Sequence, residues 1–156
     1  MNITVIGSTT VGRSVSVGLA SHGHEVSLSS RTPEGLADWS AKMGIAVLPP
    51  EDSLAQATIV VNATPGQASI EALTGAALGE AKNIIVLDLA NPLDFSTGAP
   101  RLSTGVDESL SETIQATFPE ARVVKTLNTV TASVMTNPGS LEEPTLLAKR
   151  SDHGPR

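Results

Sequence analysis

The chain has 156 residues, the size of one domain, with 40% hydrophobic but only 2% aromatic residues. One core is therefore expected, packed from Val, Ile, Leu and Ala as in strands buried on both faces. A net charge of -6 without a Lys/Arg cluster argues against nucleic acid, and the lack of cysteine excludes disulfides, thiolate metal ligands and a cysteine nucleophile.

Asn2-Ile3-Thr4-Val5-Ile6 is a β-branched run, and Val11, Val15, Leu19 and Ala20 then recur at helical spacing up to a stop at Gly23. Glu25 to Ser30 alternates like a second strand, which completes a βαβ unit. The alternation predicts a helix over Pro33–Met43, a strand over Ile45–Leu48, a short helix over Glu51–Gln56 and a strand over Thr58–Asn62. It continues with a helix over Gln67–Leu78, a strand over Asn83–Leu87, a helix over Asp107–Phe118 and a strand over Arg122–Lys125. Strands separated by helical crossovers imply an α/β fold of the Rossmann type. Its expected form is a doubly wound, mainly parallel sheet of about six strands with helices on both faces.

Asn91 to Gly105 reads as a long loop leaving the fifth strand at its carboxyl end, where open α/β sheets bind ligands. Residues 1–138 form the expected nucleotide-binding domain. Asn137-Pro138-Gly139 is a turn signal, and 139–156, ending in Ser151 to Arg156, reads as a poorly ordered tail. No apolar run reaches the ~18 residues of a membrane span, and Met1 leads into a strand with no charged leader. No membrane partner and a cytoplasmic location are expected.

Gly7-Ser8-Thr9-Thr10-Val11-Gly12 keeps the outer glycines of the G-x-G-x-x-G fingerprint. Gly7 permits a sharp turn out of the strand, Gly12 lets the helix approach the sheet, and the free amides at the helix start face a pyrophosphate. Thr9 stands at the middle glycine position, where its hydroxyl can donate to a phosphate oxygen in compensation. The second strand then ends in Ser29-Ser30-Arg31-Thr32, where an NAD site would place an Asp or Glu. Arg31 offers a planar, permanent charge, with Ser30 and Thr32 adding hydroxyls, so the chemistry favours NADP(H).

Together with that turn and the Ser-Ser-Arg-Thr run, three more motifs make the order recognisable. They are Asn62-Ala63-Thr64-Pro65, Asp88-Leu89-Ala90-Asn91-Pro92-Leu93 and Lys125-Thr126-Leu127-Asn128-Thr129. From Met1 to Pro138 the chain resembles the coenzyme F420-dependent NADP oxidoreductase family. The resemblance implies hydride transfer between NADP(H) and coenzyme F420 or a similar flavin-like acceptor, with two rings held face to face and no protein acid, base or nucleophile. It implies phosphate contacts at Thr9, Ser30, Arg31 and Thr32, cofactor contacts along Ala63-Thr64-Pro65 and at Asn91 and Pro92, and a nicotinamide border at Asn128, Thr129, Val130, Thr131 and Ala132. Two departures stand out. Thr9 replaces a glycine, and the sequence stops where family members continue into elements that help form the acceptor pocket and the dimer. An apolar face left bare by such a truncation would promote self-association into a homodimer.

Other residues carry two readings. Asn62 and Asn128 either cap loops or touch ligand, and Asp88 either touches substrate or caps the loop after its strand. His22 and His24 flank Gly23 without a third metal ligand, so a helix-end turn is expected there and no metal site. Trp39, Leu36 and Met43 share the spacing of a core-facing helix stripe. As alternatives to an F420 reductase, the same sequence suits a non-catalytic NADP(H)-binding or sensor domain, or an NADPH-dependent flavin or ferric reductase.

Overall fold

In chain order the elements are β1 (Asn2–Ile6), α1 (Thr10–Ser21), β2 (Glu25–Ser29), α2 (Ala37–Met43), β3 (Ala46–Leu48), β4 (Ile59–Asn62), α3 (Ser69–Gly75) and β5 (Ile85–Asp88). They continue with β6 (Leu93–Asp94), β7 (Arg101–Leu102), α4 (Leu110–Thr117), β8 (Arg122–Lys125) and α5 (Ala132–Thr136). The computed structural model describes residues 1–94, 96, 98, 101, 102 and 109–140. Among the described residues, no helix is long and apolar enough to cross a membrane.

Alternate side chains of β1 and β4 point to opposite sides of the sheet, so each strand feeds two apolar layers. Val5 and Val61 join Ile3, Val15, Leu28 and Ile45 in one, while Ile6 and Val60 join Leu73, Val86, Ile114 and Phe118 in the other. Helices α1, α2 and α5 cover the first layer, through Val15, Trp39 and Met135, and α3 and α4 cover the second, through Leu73 and Ile114. The sheet has six strands in the order β3-β2-β1-β4-β5-β8, and every neighbouring pair is parallel. The chain starts in the middle, winds out to β3, then returns to the other side of β1. This reversal opens a crevice between the carboxyl ends of β1 and β4, the place where open α/β sheets take their ligands.

Several expected elements differ in detail. The helix expected over Glu51–Gln56 is only a 3-10 turn over Pro50–Asp52, because this crossover serves the sheet in another way: the Ser53 carbonyl accepts the buried Thr4 hydroxyl at 2.7 Å. The segment from Pro33 enters as a 3-10 turn to Leu36 before α2 begins, and Met43 stays 39% exposed, outside the core stripe that holds Leu36 and Trp39. Instead of one helix over Gln67–Leu78 there is a 3-10 turn at Gly66–Ala68, then α3, then a second turn at Leu78–Glu80, which follows Ala77 in the left-handed region at φ 58°. The expected loop from Asn91 contains a small antiparallel ribbon pairing Leu93 with Leu102 and Asp94 with Arg101. Helix α5 has no counterpart in the sequence reading. The expected helix start at Asp107 and the tail over 141–156 lie outside the described residues.

Gly7 and Gly12 set how closely α1 meets the sheet. Gly7 holds φ at +110°, and a side chain there would place Cβ 2.7 Å from the Ala63 carbonyl oxygen. At Gly12 a Cβ would lie 1.7 Å from the Gly7 carbonyl oxygen, a backbone atom with nowhere to go. Gly12→Ala should therefore cost about 3 kcal/mol of stability in urea unfolding, as severe overpacking does. Gly35→Ala, whose Cβ would meet nothing nearer than 4.0 Å, should stay within about 0.5 kcal/mol of the parent. Equal losses in the two variants would contradict the packing account.

Candidate functional site

Parallel register aligns one row of residues across the carboxyl ends of the strands. Ser29 pairs with Ile6, Ile6 with Asn62, Asn62 with Asp88 and Asp88 with Lys125. The residues that follow this row, Ser30, Gly7, Ala63 and Leu89, form the rim of the crevice.

At its centre, Thr9 is the N-cap of α1 with φ -74° and ψ -175°, an extended conformation open to any residue, so the missing glycine costs no backbone strain. Its hydroxyl makes no capping bond, and Thr9 is exposed. The first amides of the twelve-residue α1 have no carbonyl one turn earlier to bond, and they add to the positive end of the helix dipole. Beside this turn Ser30 is buried: its amide donates to the Leu48 carbonyl at 3.0 Å, and its hydroxyl accepts the Thr32 amide at 3.2 Å and lies 3.2 Å from the Ser8 hydroxyl. Ser30 thus shapes the turn that presents Arg31. The Arg31 side chain is exposed, and no carboxylate among the described residues pairs with it.

Behind the rim lies a buried polar network. The Asn62 amide donates to Ser69 Oγ at 3.0 Å and to Asp88 Oδ1 at 2.9 Å, while its own oxygen accepts the Thr64 amide at 3.3 Å and the Thr64 hydroxyl at 2.7 Å. Asp88, fully buried, also accepts the Ala90 amide at 3.1 Å, the Ser111 hydroxyl at 2.7 Å and the Lys125 ammonium at 3.0 Å. Lys125 reaches onward to the Ala90 carbonyl. Both open questions are thereby resolved toward structure, since Asn62 and Asp88 cap the loops after their strands.

Those loops are fastened to one another. The Gly66 amide donates to the Asn91 carbonyl at 3.1 Å, and a Cβ on Gly66 would come within 2.5 Å of Pro92 Cα, so the two loops touch backbone to backbone. Asn91 Nδ2 donates to the Asn128 carbonyl at 2.6 Å, and Asn128 Nδ2 returns a bond to Asn91 Oδ1 at 3.1 Å. Asn128 follows Leu127, which sits in the left-handed region at φ 55°.

The crevice divides into two cavities that share Thr9, Thr64 and Pro65. The first, about 360 Å³, takes in Gly7, Ser8, Ser30 and Arg31 from the predicted set. The second, about 320 Å³, takes in Val11, Ala63, Asn91, Asn128, Val130, Thr131 and Ala132. Thr10, Gly12, Thr32, Pro92 and Thr129 line neither cavity. The sequence reading missed Glu71, Ala68 and Ala72 in the first and Leu89, Ala90 and Met135 in the second. Ala68 and Ala72 stand four residues apart just past the Thr64-Pro65 turn, a spacing that could have marked that face of α3. Met135 carried no such signal. His22 and His24 lie elsewhere, at the end of α1, where His22 Nδ1 is 2.8 Å from the Gly18 carbonyl oxygen. Among the described residues no group of three or more His, Asp or Glu could hold a metal ion.

Asp88→Asn would turn an amide donor toward groups that already donate. A loss of about 2–4 kcal/mol in urea unfolding is expected, the scale of buried donors left without partners. Ser111→Ala, which removes a single donor, should cost about 1 kcal/mol. A neutral Asp88→Asn would show that the network is dispensable.

Residues 2–92 match the family model described as NADP oxidoreductase, coenzyme F420-dependent. A solved structure from Arthrobacter sp. FB24, provisionally assigned as an F420-dependent NADP-reductase, is 41% identical with a TM-score of 0.86; the match covers 97% of this chain and 77% of that one. A hypothetical protein from Sinorhizobium meliloti, SMa0349, is 25% identical with a TM-score of 0.70, over 87% of this chain and 65% of the other. An imine reductase from Aspergillus terreus, solved with NADPH4 and dibenz[c,e]azepine, shares the fold at 14% identity and a TM-score of 0.63, over 85% of this chain and 43% of its own. No curated protein matches the sequence. The glycine turn, the Arg31 corner and the clamped loops thus sit in a sequence that belongs to the F420-dependent NADP oxidoreductase family.

Proposed function

We propose that the chain binds NADP(H) along the crevice and exchanges a hydride with coenzyme F420 or a similar flavin-like acceptor. The reading rests on one observation above others: the crevice is charged at one end and, among its described lining residues, has no ionisable side chain at the other. The charged end fits a phosphorylated ribose, because Arg31 has no carboxylate partner among the described residues and the helix-start amides suit a pyrophosphate. Ser8 and Thr9 supply further hydroxyls along that path, Thr10 opens the helix beside them, and Thr32 stands next to Arg31.

The cofactor itself supplies or accepts the hydride. The chain's own residues bind and orient. Thr9, Thr64 and Pro65 border both cavities, Ala63 lines the second, and the Asn91–Asn128 clamp fixes the loops around it. Val11, Val130, Ala132 and Met135 keep that second cavity largely apolar, which suits a nicotinamide ring and limits water beside it. With no acid or base supplied by these residues, the arrangement favours an acceptor that takes a hydride directly into a conjugated ring, and positioning is the main catalytic device. Reduction of an imine would call for a proton donor at the same place.

Arg31→Ala should weaken NADPH binding by about 1.5–3 kcal/mol in calorimetric titration and leave NADH nearly unchanged. Equal losses for both nucleotides would refute the assignment of the phosphate corner. With the parent protein, NADPH should reduce F420 in a spectrophotometric assay. Binding of NADPH without reduction of F420, FMN, FAD or a ferric chelate would favour a sensor over a reductase.

A further inference from the structure

The cavity that holds Arg31 carries a second charge that the phosphate does not need. Glu71 lines it from α3, on the same helical face as Ala68, Ala72 and Gly75. Glu71 is exposed and, among the described residues, has neither a hydrogen bond nor an ion pair. Arg31 likewise has no ion pair, although the two side chains line one space of about 360 Å³. Two opposite charges therefore border the cavity without meeting across it.

Resting on the NADP(H) reading above, we infer that Glu71 reads the nucleotide base by accepting a hydrogen bond from the 6-amino group of adenine. An ionised carboxylate accepts hydrogen bonds and cannot donate them, so whatever lies against it must carry a donor. The phosphate end of the nucleotide is excluded from that position, because like charges repel and Arg31 already marks where phosphate belongs. The donors left on the adenosine half are a ribose hydroxyl and the exocyclic amine. Ala68 and Ala72 present methyl groups beside Glu71, a low wall suited to the face of a flat base, and a base lying on it turns its edge toward the carboxylate. Glu71 is then a specificity-determining residue: a purine with oxygen at position 6 would set acceptor against acceptor.

The test compares NADPH with its hypoxanthine analogue, deamino-NADPH, by calorimetric titration of the parent, Glu71→Gln and Glu71→Ala. The parent should prefer NADPH by about tenfold, the effect of one mismatched polar contact. Glu71→Gln, whose amide can donate to the oxygen, should bring the two affinities within about threefold of each other, and Glu71→Ala should lower the preference by weakening NADPH. Because Glu71 is exposed, both variants should keep the parent's unfolding midpoint. If the preference is the same in all three proteins, the inference is overturned while the NADP(H) reading stands. A parallel rise in affinity for both nucleotides in Glu71→Gln would also overturn it, marking Glu71 as a mere repeller of phosphate. Should the parent bind neither nucleotide, the NADP(H) reading falls and this inference falls with it.

Discussion

The buried carboxylate of Asp88 is the point from which the site is built. It cannot be left in the core without donors, and the surrounding chain supplies them from four directions: Asn62 on the neighbouring strand, the Ala90 amide in its own loop, Ser111 on α4 and Lys125 on the strand beyond. Each donor belongs to a different stretch of sequence, so satisfying one group fixes several segments at once. Asn62 extends the order to Thr64 and Ser69, which shape the loop after β4. The polar network holds the loops that border the crevice: Asn62, Asp88 and Lys125 stay behind the rim, while Thr64 reaches from the network into the lining of both cavities.

The crevice inherits its asymmetry from the strands that border it. Toward β2 it meets a turn where Ser30 is consumed by backbone bonds and Arg31 is left pointing outward, so charge collects there. Toward β5 and β8 it meets loops whose asparagines are paired with each other, Asn91 with Asn128, and whose remaining lining is aliphatic apart from Thr131. A ligand with anionic groups at one end and an uncharged ring at the other matches that gradient. NADPH, with its neutral dihydronicotinamide, has this shape, and the family to which the chain belongs is described as NADP oxidoreductases.

Thr9 shows how a departure from a motif can be absorbed. The middle glycine of the fingerprint serves close backbone approach to the diphosphate, and its replacement would be costly if the position also required a left-handed backbone. It does not, since Thr9 is extended. The two glycines that remain, Gly7 and Gly12, are those whose absence would collide with carbonyl groups. The turn has kept the glycines that packing demands and placed a hydroxyl where a ligand would pass.

Much of this was legible in the residues. The β-branched runs and the helical spacing between them determined the six parallel strands, because the two periods differ and a strand buried on both faces leaves little room for polar residues. The tight glycine turn at Gly7 and Gly12 and the charge of Arg31 at the end of the second strand were also legible, since each depends on a local conformation or on a charge at a fixed distance along the chain. What the sequence could not decide was which polar groups face each other. Asp88 could equally have touched a ligand or capped a loop, and only the register that sets Asn62, Asp88 and Lys125 side by side chose the second. Glu71 and Met135 enter the crevice from helices whose orientation follows from packing against the rest of the core. Local propensity fixes the elements over a few residues, whereas contacts between residues dozens of positions apart depend on how the layers stack, and that was settled only by the tertiary structure.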